Sequence, residues 1–304
     1  MSDNRFPLVS IISVNFNQSA VTAELLRSLN EISYPDVEVI VVDNGSANDP
    51  ADALADVFPR VIFLKSEKNL GFAGGNNLGI KIAKGDFLLF LNNDTEVDPG
   101  FLEPLVARLQ SDSQIGMISP KIRFYYTPDT IQYAGYTPMN GITLRQHMIG
   151  YRVKDTGQFN IAGETYSIHG AAMMVPRSVI SRVGMMAEMY FLYYEEHDWA
   201  ERIKRAGYKL FYEPASLVFH KESVTTGKES PLKTYYINRN RFLFARRNIK
   251  GLRKLPALLY LTCIAFPKGF ISCLVKGRFD LAISIWKAYI WNFLRFSNSK
   301  ISNT

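Results

Sequence analysis

Residues 87–98, FLLFLNNDTEVD, join an apolar run to a strongly polar one. The first five residues have the length and composition of a buried strand. The chain then turns polar at once, beginning with Asn92, Asn93 and Asp94. A buried strand that ends in this way is expected where a sheet presents groups to a ligand.

The residues before this stretch alternate between apolar runs and segments with helical spacing of apolar side chains. Strands are predicted at residues 8–16, 37–45, 60–66 and 86–94, and helices at residues 20–32 and around 74–85. Strand and helix repeated in this order are typical of a doubly wound, mostly parallel sheet. The fold class is therefore α/β.

Polar residues follow three of these strands. They are Asn15 and Asn17 after the first, Asp43, Asn44 and Ser46 after the second, and Asn92 to Asp94 after the fourth. Because ligands bind outside the carboxyl ends of parallel strands, one site is expected to collect all three groups. The alternative is that these residues only begin turns and cap helices.

A glycine-rich segment, KNLGFAGGNNLGI at residues 68–80, lies between the third and fourth strands. Glycine lets the backbone approach a ligand closely, and amides near a helix N-terminus attract anionic groups. The segment matches neither a Walker A loop nor the GxGxxG dinucleotide pattern. It is weak evidence on its own.

Composition and charge indicate a globular protein of the cytosol with a basic C-terminal part. The chain has 304 residues, of which 47% are hydrophobic and 21% are charged. Cys263 and Cys273 show no metal-binding spacing, and the N-terminus lacks the pattern of a secretory signal. From Leu232 onward, 14 Lys and Arg face one acid, a net charge of +13; since the whole chain carries +7, the remainder carries −6.

Five motifs together resemble the family 2 glycosyltransferases with a GT-A fold, and bacterial rhamnosyltransferase-type enzymes in particular. The resemblance covers about residues 8–227 and is more specific than any single motif. The motifs are VSIISVNFN, VIVVDNGS, NLGFAGGNN, FLLFLNNDTEVDPGFL and YYEEHDWAERIKRAGY, in that order. It implies a GT-A domain over residues 1–231, with a nucleotide-sugar half at about 1–100 and an acceptor half at about 101–231. A basic helical tail over residues 232–304 would follow.

By this resemblance, the polar strand ends bind a nucleotide sugar and a divalent cation, Mg²⁺ or Mn²⁺. Asp94 would bind the metal, joined by His220 at a later strand end. Asp43 would accept a hydrogen bond from a uracil or thymine ring, since an ionised carboxylate is a pure acceptor. The remaining donor-binding residues would be Val14, Asn15, Asn17, Asn69, Gly71, Gly74, Asn76, Asn92 and Asn93.

The later acidic motif, at residues 193–208, supplies the catalytic residues in the same comparison. Glu196 would be the base that takes the proton of the acceptor hydroxyl, with Glu195 or Asp198 supporting it. His169 and Trp199 would line the acceptor side, although a core position for Trp199 is an equal alternative. Three acids at a helix start also favour the positive end of its dipole, which is the competing explanation.

These residues predict an inverting, metal-dependent glycosyltransferase acting on a lipid-linked glycan in cell-surface polysaccharide synthesis. dTDP-rhamnose is the leading donor and a UDP-hexose the alternative. An inactive nucleotide-sugar binding module on a membrane is the competing class. A nucleotidyltransferase is disfavoured, because no basic, glycine-rich loop follows the first strand.

The basic tail is predicted to lie on the inner face of the cytoplasmic membrane rather than to bind nucleic acid. Its two apolar runs, at residues 255–266 and 281–294, are edged with basic and aromatic residues. The first is too short, and the second is interrupted by Lys287, to provide the roughly 20 apolar residues that cross a bilayer. Interfacial helices on an anionic membrane fit this pattern. Packing on the acidic body or a homodimer interface is the alternative.

Overall fold

A computed structural model describes residues 6–222 and 230–294. The N-terminal residues 1–5, which entered the argument about a signal sequence, lie outside the described part, as do residues 223–229 and 295–304. The strands, in chain order, are β1 Val9–Asn15, β2 Val37–Asp43, β3 Ile62–Lys65, β4 Phe87–Leu91, β5 Thr95–Val97, β6 Ile115–Phe124, β7 Thr127–Tyr133, β8 Gly163–Glu164, β9 Ala172–Pro176 and β10 Lys209–His220.

The helices alternate with these strands and then continue alone to the C-terminal end of the described chain. They are α1 Ser19–Asn30, α2 Ala51–Val57, α3 Gly71–Ile82, α4 Leu102–Ser111, α5 Arg177–Val183, α6 Glu195–Arg205, α7 Pro231–Asn248, α8 Lys254–Tyr260, α9 Phe266–Val275 and α10 Phe279–Leu294. A short 3₁₀ helix, Glu188–Tyr190, precedes α6. The predicted α/β order is confirmed.

The strands form one sheet in the order β3-β2-β1-β4-β9-β6-β10-β5. β1, β2, β3 and β4 pair in parallel, as the alternation of strands and helices predicts. β9 pairs antiparallel with β4 and with β6, and so joins the parallel half to a mixed half. The carboxyl ends of β1 and β4 therefore lie beside the amino end of β9.

Both faces of the sheet are covered. Leu25 and Leu26 of α1 pack on one face with Leu105 of α4. Ile80 of α3 and Ile203 of α6 belong to the core of the other face. Because β4 is buried on both faces, its sequence is an unbroken run of apolar residues.

Glycine explains how closely α3 approaches the sheet. A Cβ atom at Gly79 would lie 2.5 Å from Cγ2 of Ile12 on β1. Real Cβ contacts essentially never come so close, so a side chain here would push the helix away. A Cβ at Gly75 would likewise lie 2.9 Å from Cγ1 of Val14, so the first turns of α3 are held against the carboxyl end of β1.

The C-terminal helices do not form a detached appendage. Leu243 and Phe244 of α7 are buried in a third apolar cluster with Leu144 and Tyr190 of the body. The residues from Gly251 to Val275, α8 and α9 included, form one continuous helical segment of 25 residues; an 18-residue window within it has a mean hydropathy of 1.8 and is 6% buried. The expectation that this region is too short to cross a bilayer was wrong. The helix continues through Pro267 and Lys268, so by length and composition it is sufficient.

Candidate active site

A cleft of about 390 Å³ opens where the parallel half of the sheet meets the mixed half. Its volume lies within the range of small-molecule sites. The predicted site residues that line it are Val14, Asn69, Gly71, Asn92, Asn93, Asp94, His169, Glu195, Glu196 and His220. Among the described residues, the predicted ones that do not line it are Asn15, Asn17, Asp43, Gly74, Asn76, Asp198 and Trp199.

The predicted metal ligands, Asp94 and His220, meet at the cleft. Asp94 follows β4 and His220 ends β10, and their Oδ1 and Nε2 atoms are 3.1 Å apart. Nδ1 of His220 lies 2.8 Å from Oε1 of Gln132, a buried residue of β7. Because an amide oxygen only accepts, Nδ1–H donates to Gln132 and Nε2 faces Asp94; Nε2 donates to that carboxylate when it carries a proton and can bind a cation when it does not. Gln132 was not predicted, since a lone glutamine in a strand has no sequence signal.

Burial would raise the pKa of the Asp94 carboxyl, but the hydrogen bond and charge of His220 lower it below the usual value. Lys221 adds to this effect. Its ammonium group is held by Glu96, at 2.7 Å, and by Glu24. Asp94 is therefore kept ionised, which is the state that binds a cation.

The pair fits a divalent cation that is shared with a substrate. A carboxylate oxygen and an imidazole nitrogen are suitable ligands for Mn²⁺, and a carboxylate for Mg²⁺. Within residues 6–222 and 230–294 no group of three or more His, Cys, Asp or Glu side chains is arranged to hold a metal. A cation held by these two side chains alone would leave its other coordination positions to substrate oxygens and water.

Asn92 and Asn93 differ in role although both line the cleft. The Asn92 carbonyl accepts from the Thr95 hydroxyl at 2.6 Å, and its backbone N–H donates to Ala171 at the start of β9. Asn93 Nδ2 donates to the Thr22 hydroxyl of α1 at 3.0 Å. The turn after β4 is thus fixed on both sides, which aims Asp94 into the cleft.

Two asparagines build the side of the cleft that was predicted to bind the donor, which is called the donor side below. Asn44 Nδ2 donates to Asn69 Oδ1 at 3.1 Å and to the carbonyl of Gly71 at 3.0 Å. Asn69 Oδ1 also accepts from the Gly71 backbone N–H at 2.8 Å. Gly71 has a φ of +73°, and a Cβ there would lie 2.1 Å from the carbonyl oxygen of Phe191. Only glycine fits this position.

Asp43 was predicted to face the cleft, but it does not. Its carboxylate is fully buried and accepts from Asn15 Nδ2 at 2.7 Å, from Ser46 Oγ at 2.5 Å and from Ser46 N. Asn17 is exposed and accepts from the backbone of Ala47. In this arrangement Asp43 and Asn15 support the loop behind the cleft, and a base would have to displace Ser46 to reach the carboxylate.

Gly74 and Asn76, which were predicted to bind the donor, do not line the cleft either. Both lie within α3, where Asn76 is buried and donates to the carbonyl of Phe72. A Cβ at Gly74 would meet Cβ of Leu70 at 2.6 Å. Close packing of the helix, rather than contact with a donor, explains both residues.

Glu195 and Glu196 open α6 and both line the cleft, but in different environments. Glu195 is buried, and its Oε2 atom has no hydrogen-bond partner among the described residues. Burial, followed by the charge of Glu196, raises the pKa of Glu195 well above its usual value. The Glu196 side chain is 17% exposed, and its Oε1 lies 3.6 Å from Nε2 of His197. Glu196 is therefore the more accessible carboxylate.

Neither Asp198 nor Trp199 lines the cleft. Asp198 is fully buried and accepts from Tyr190, Arg202, Arg247 and Asn248 at 2.8 to 3.1 Å. It joins α6 to α7. Trp199 is also fully buried, contacts Phe90 edge to face at 5.3 Å and donates to the carbonyl of Gly184. The acceptor role for Trp199 was wrong, because the helical spacing places it on the core face of α6.

His169 lines the cleft, with its ring 5.8 Å from that of His220. Its Nδ1 accepts from the Ala171 backbone N–H at 3.1 Å, which leaves Nε2 as the protonated nitrogen. Burial, with the nearby charges of His220 and His197, lowers its pKa to about 3. His169 is neutral at physiological pH and offers one N–H donor beside Asp94 and His220.

Several cleft residues were not among the predicted site residues. They are Phe16, Phe72, Gln132, Tyr136, Gly170, Ala171, Phe191, Leu192, Tyr193, Glu222, Leu232 and Lys233. Leu232 and Lys233 are the most instructive, since they belong to α7 and thus to the predicted tail. The division at residue 231 therefore passes through the site.

Comparison with known proteins agrees with the fold. The sequence model of glycosyl transferase family 2 matches residues 10–184. The low-salt glycan biosynthesis hexosyltransferase Agl10 of Haloferax volcanii is 27% identical over 240 residues, 77% of this chain and 74% of that protein. The N-acetylglucosaminyl-diphospho-decaprenol L-rhamnosyltransferase of Mycobacterium tuberculosis is 22% identical over 280 residues, 82% of this chain and 87% of that protein.

Other relatives are much longer, and solved structures share the fold. The chain spans 25% of the length of an uncharacterized protein of Sinorhizobium fredii that is 27% identical over 236 residues. The mannosyltransferase PcManGT of Pyrobaculum calidifontis, solved with GDP-Man and Mn²⁺, superposes with a TM-score of 0.57 at 15% identity, over 96% of this chain and 76% of that one. The family model spans more than half of the chain and the fold agrees, so this protein is a glycosyltransferase and belongs to glycosyl transferase family 2.

Proposed function

We propose that the protein is an inverting, divalent-metal-dependent glycosyltransferase that moves a sugar from a nucleoside diphosphate to a lipid-linked glycan. The observation that carries this proposal is that Asp94, His220 and Glu196 all face one cleft. A cation site and an accessible carboxylate base are the two elements that inverting sugar transfer needs. Asn69 and Gly71 line the same cleft at the N-terminus of α3, where anionic groups bind favourably.

The reaction is a single displacement at the anomeric carbon. The acceptor hydroxyl oxygen forms the new bond from the face opposite the diphosphate, and the bond between the anomeric carbon and the phosphate oxygen breaks. The hydroxyl proton passes to the Glu196 carboxylate, and the nucleoside diphosphate leaves with the bonding electrons. Glu195, buried beside it, keeps its proton more readily and is less suited to act as the base.

Asp94 and His220 are the residues that would hold the cation, and Gln132 orients the His220 ring. When bound, a divalent cation neutralises charge on the leaving diphosphate. His169 Nε2–H is available on the same side to donate to a substrate oxygen.

The leading donor is dTDP-rhamnose and the alternative is a UDP-hexose. A relative named as an L-rhamnosyltransferase with a diphospho-decaprenol acceptor supports the first, and a hexosyltransferase relative supports the second. An inactive nucleotide-sugar module remains the competing class. The pairing of a cation site with an accessible Glu196 favours an active enzyme.

The C-terminal helices support a position on the inner face of the cytoplasmic membrane. Leu252, Leu255 and Val275 are 97%, 66% and 82% exposed on the long apolar helix, and Phe279 and Phe293 are exposed on α10. Basic residues flank these side chains, which suits an anionic lipid surface. A lipid-linked acceptor would then reach a cleft that α7 helps to line. A homodimer through the same helices is the alternative.

The donor and the metal are tested together. Purified protein is screened with nucleotide sugars for thermal stabilisation and for transfer to a short polyprenyl-diphosphate glycan, with and without Mn²⁺. We expect one donor to stabilise the protein only with the metal, and Asp94→Asn to abolish transfer and this metal dependence. Asp98→Asn, the change of a nearby carboxylate, is the control. Full turnover and an unchanged metal response in Asp94→Asn would overturn the metal assignment.

Membrane binding is tested in the full chain, because removal of everything after Pro231 would also remove α7 from the cleft. Glutamate substitutions of Leu252, Leu255 and Val275 should abolish sedimentation with anionic liposomes. Ile161→Glu, which changes a residue 83% exposed on the body, should not. High salt releases a peripheral protein, whereas a spanning helix is released only by detergent. A full-length protein that ignores liposomes and is dimeric in solution until these substitutions are made would establish the dimer interface instead.

A further inference from the structure

Three of the four residues that precede Glu195 have an unusual backbone. Phe191, Tyr193 and Tyr194 have φ angles of 65°, 68° and 77°, in the left-handed region that bulky side chains rarely adopt. Each such residue is strained and persists only where its surroundings fix it. Because residue 194 immediately precedes α6, this backbone sets the direction in which Glu195 and Glu196 leave the loop.

Two adjacent residues of α7 hold this backbone. Nδ2 of the fully buried Asn240 lies 2.9, 2.8 and 2.7 Å from the carbonyl oxygens of Tyr190, Leu192 and Tyr193. Nη2 of Arg239 donates to the carbonyl of Tyr190 at 2.6 Å and to that of Met189 at 2.7 Å. The backbone carbonyls of this strained turn therefore accept hydrogen bonds from α7, a helix about 50 residues away in sequence.

Arg239 and Asn240 are themselves fixed. Nε of Arg239 donates to Oδ1 of Asn240 at 2.7 Å, which sets the orientation of the amide. The guanidinium carbon lies 4.6 Å from the ring centre of Tyr236 and 4.7 Å from that of Trp291 on α10. Asn292 of α10 donates to the Arg239 carbonyl at 3.0 Å.

The other side of the loop contacts the donor half. The carbonyl of Phe191 accepts from the Phe72 backbone N–H at 2.6 Å, at the start of α3. It also faces Gly71, where a side chain would not fit. The Phe191 ring stacks on Tyr236 of α7 at 5.0 Å and an interplanar angle of 20°. The loop thus joins the donor loop, the two acids and α7.

We propose that Arg239 and Asn240 are positioning residues for sugar transfer, which hold the loop at residues 189–194 so that Glu196 faces the cleft. This rests on the proposed function of Glu196 as the base. It follows that α7 is part of the catalytic apparatus, and that α10 is connected to the base through Asn292 and Trp291.

The test is made in the full chain with Asn240→Ala, well below the temperature at which the variant unfolds. We expect kcat to fall about 10- to 100-fold, as a displaced reacting group allows, with KM for the donor within about twofold. Amide hydrogen exchange should increase in peptides covering residues 189–196 and remain unchanged in β1 and β2. Asn240→Gln, which keeps an amide, should recover part of kcat.

Asn238 supplies the matched control. It lies on the same helix two residues earlier and donates to the carbonyl of Thr234 within that helix. Asn238→Ala should leave kcat and the exchange of residues 189–196 unchanged. If Asn240→Ala does not fold, Arg239→Lys is used, since it keeps the charge but loses the planar fork and should change the same quantities less.

The results of these experiments distinguish a failure of the positioning role from a failure of the proposed function. A lowered melting temperature with unchanged kcat and unchanged exchange at residues 189–196 would overturn the positioning role. If the wild-type protein transfers no sugar from any donor, the proposed function fails, and the exchange experiment still decides whether α7 holds the loop.

Discussion

The two sides of the cleft are held in place by different means. On the donor side, Asn44, Asn69 and Gly71 bond to one another through short hydrogen bonds, and the Asp43 carboxylate is fully satisfied behind them. On the acceptor side, three bulky residues adopt positive φ angles and one Glu195 oxygen has no partner among the described residues. The donor side is stabilised locally, whereas the acceptor side depends on α7.

This difference has a consequence for function. A site built from local hydrogen bonds is rigid whether or not the rest of the chain is docked. A loop held in a strained conformation from another helix keeps its geometry only while that helix is in place. Substitutions on the two sides should therefore affect different quantities.

The largest effect is expected for Glu196→Gln. The variant keeps the size of the side chain but cannot take a proton, so turnover should fall about 10²- to 10⁴-fold while donor affinity is retained. Steady-state kinetics and donor titration measure the two quantities separately. Glu201→Gln, at a partly exposed position of α6 where the carboxylate pairs with Lys204, is the control. Full turnover in Glu196→Gln, or a far larger loss in Asp198→Asn at equal folding, would show that Glu196 is not the base.

A smaller effect is expected for substitution of Gln132, which contacts the predicted metal ligand His220 from β7. Gln132→Leu removes the acceptor for Nδ1–H of His220, so the ring is no longer oriented. Affinity for Mn²⁺, measured by titration in the presence of donor, should weaken about 10- to 100-fold. Gln114→Leu, at an exposed position, should have no effect. Unchanged Mn²⁺ affinity in the Gln132 variant would argue against His220 as a ligand.

The sequence predicted the donor half more completely than the acceptor half, and the reason is physical. β1, β2 and β4 are continuous apolar runs whose ends mark the edge of the sheet, so the polar position of Asp94 was found from local pattern, whereas Asn69 was found through the family resemblance. Whether a polar residue at such an end faces the cleft or the loop behind it depends on side-chain direction, which is why Asp43 was misplaced. Gln132 and Asn240 reach the site through contacts between distant segments, and no local pattern marks them.

A third effect concerns Asp43 and tests its structural role. Asp43→Asn exchanges a pure acceptor for a group that also donates, opposite the donors of Asn15 and Ser46. The free energy of unfolding should fall by about 1–3 kcal/mol in urea titrations. Asp56→Asn, on the exposed side of α2, should change it little. A variant of wild-type stability that no longer binds donor would restore the base-reading role for Asp43.

The smallest effect concerns the pH dependence that Glu195 confers. Burial and Glu196 raise the pKa of Glu195 in the folded protein above its unfolded value of about 4.3. At pH values between the unfolded and the folded pKa of Glu195, the folded state binds more protons than the unfolded state. The contribution of Glu195 to the free energy of unfolding therefore falls as the pH rises through this range. Glu195→Gln removes the dependence, so the variant should match the wild type near pH 4 and melt at a higher temperature at pH 8. Glu201→Gln should show no such divergence. If the wild type instead gains stability relative to Glu195→Gln as the pH rises, Glu195 is ionised and paired in the folded protein, and the acceptor side is then stabilised locally like the donor side.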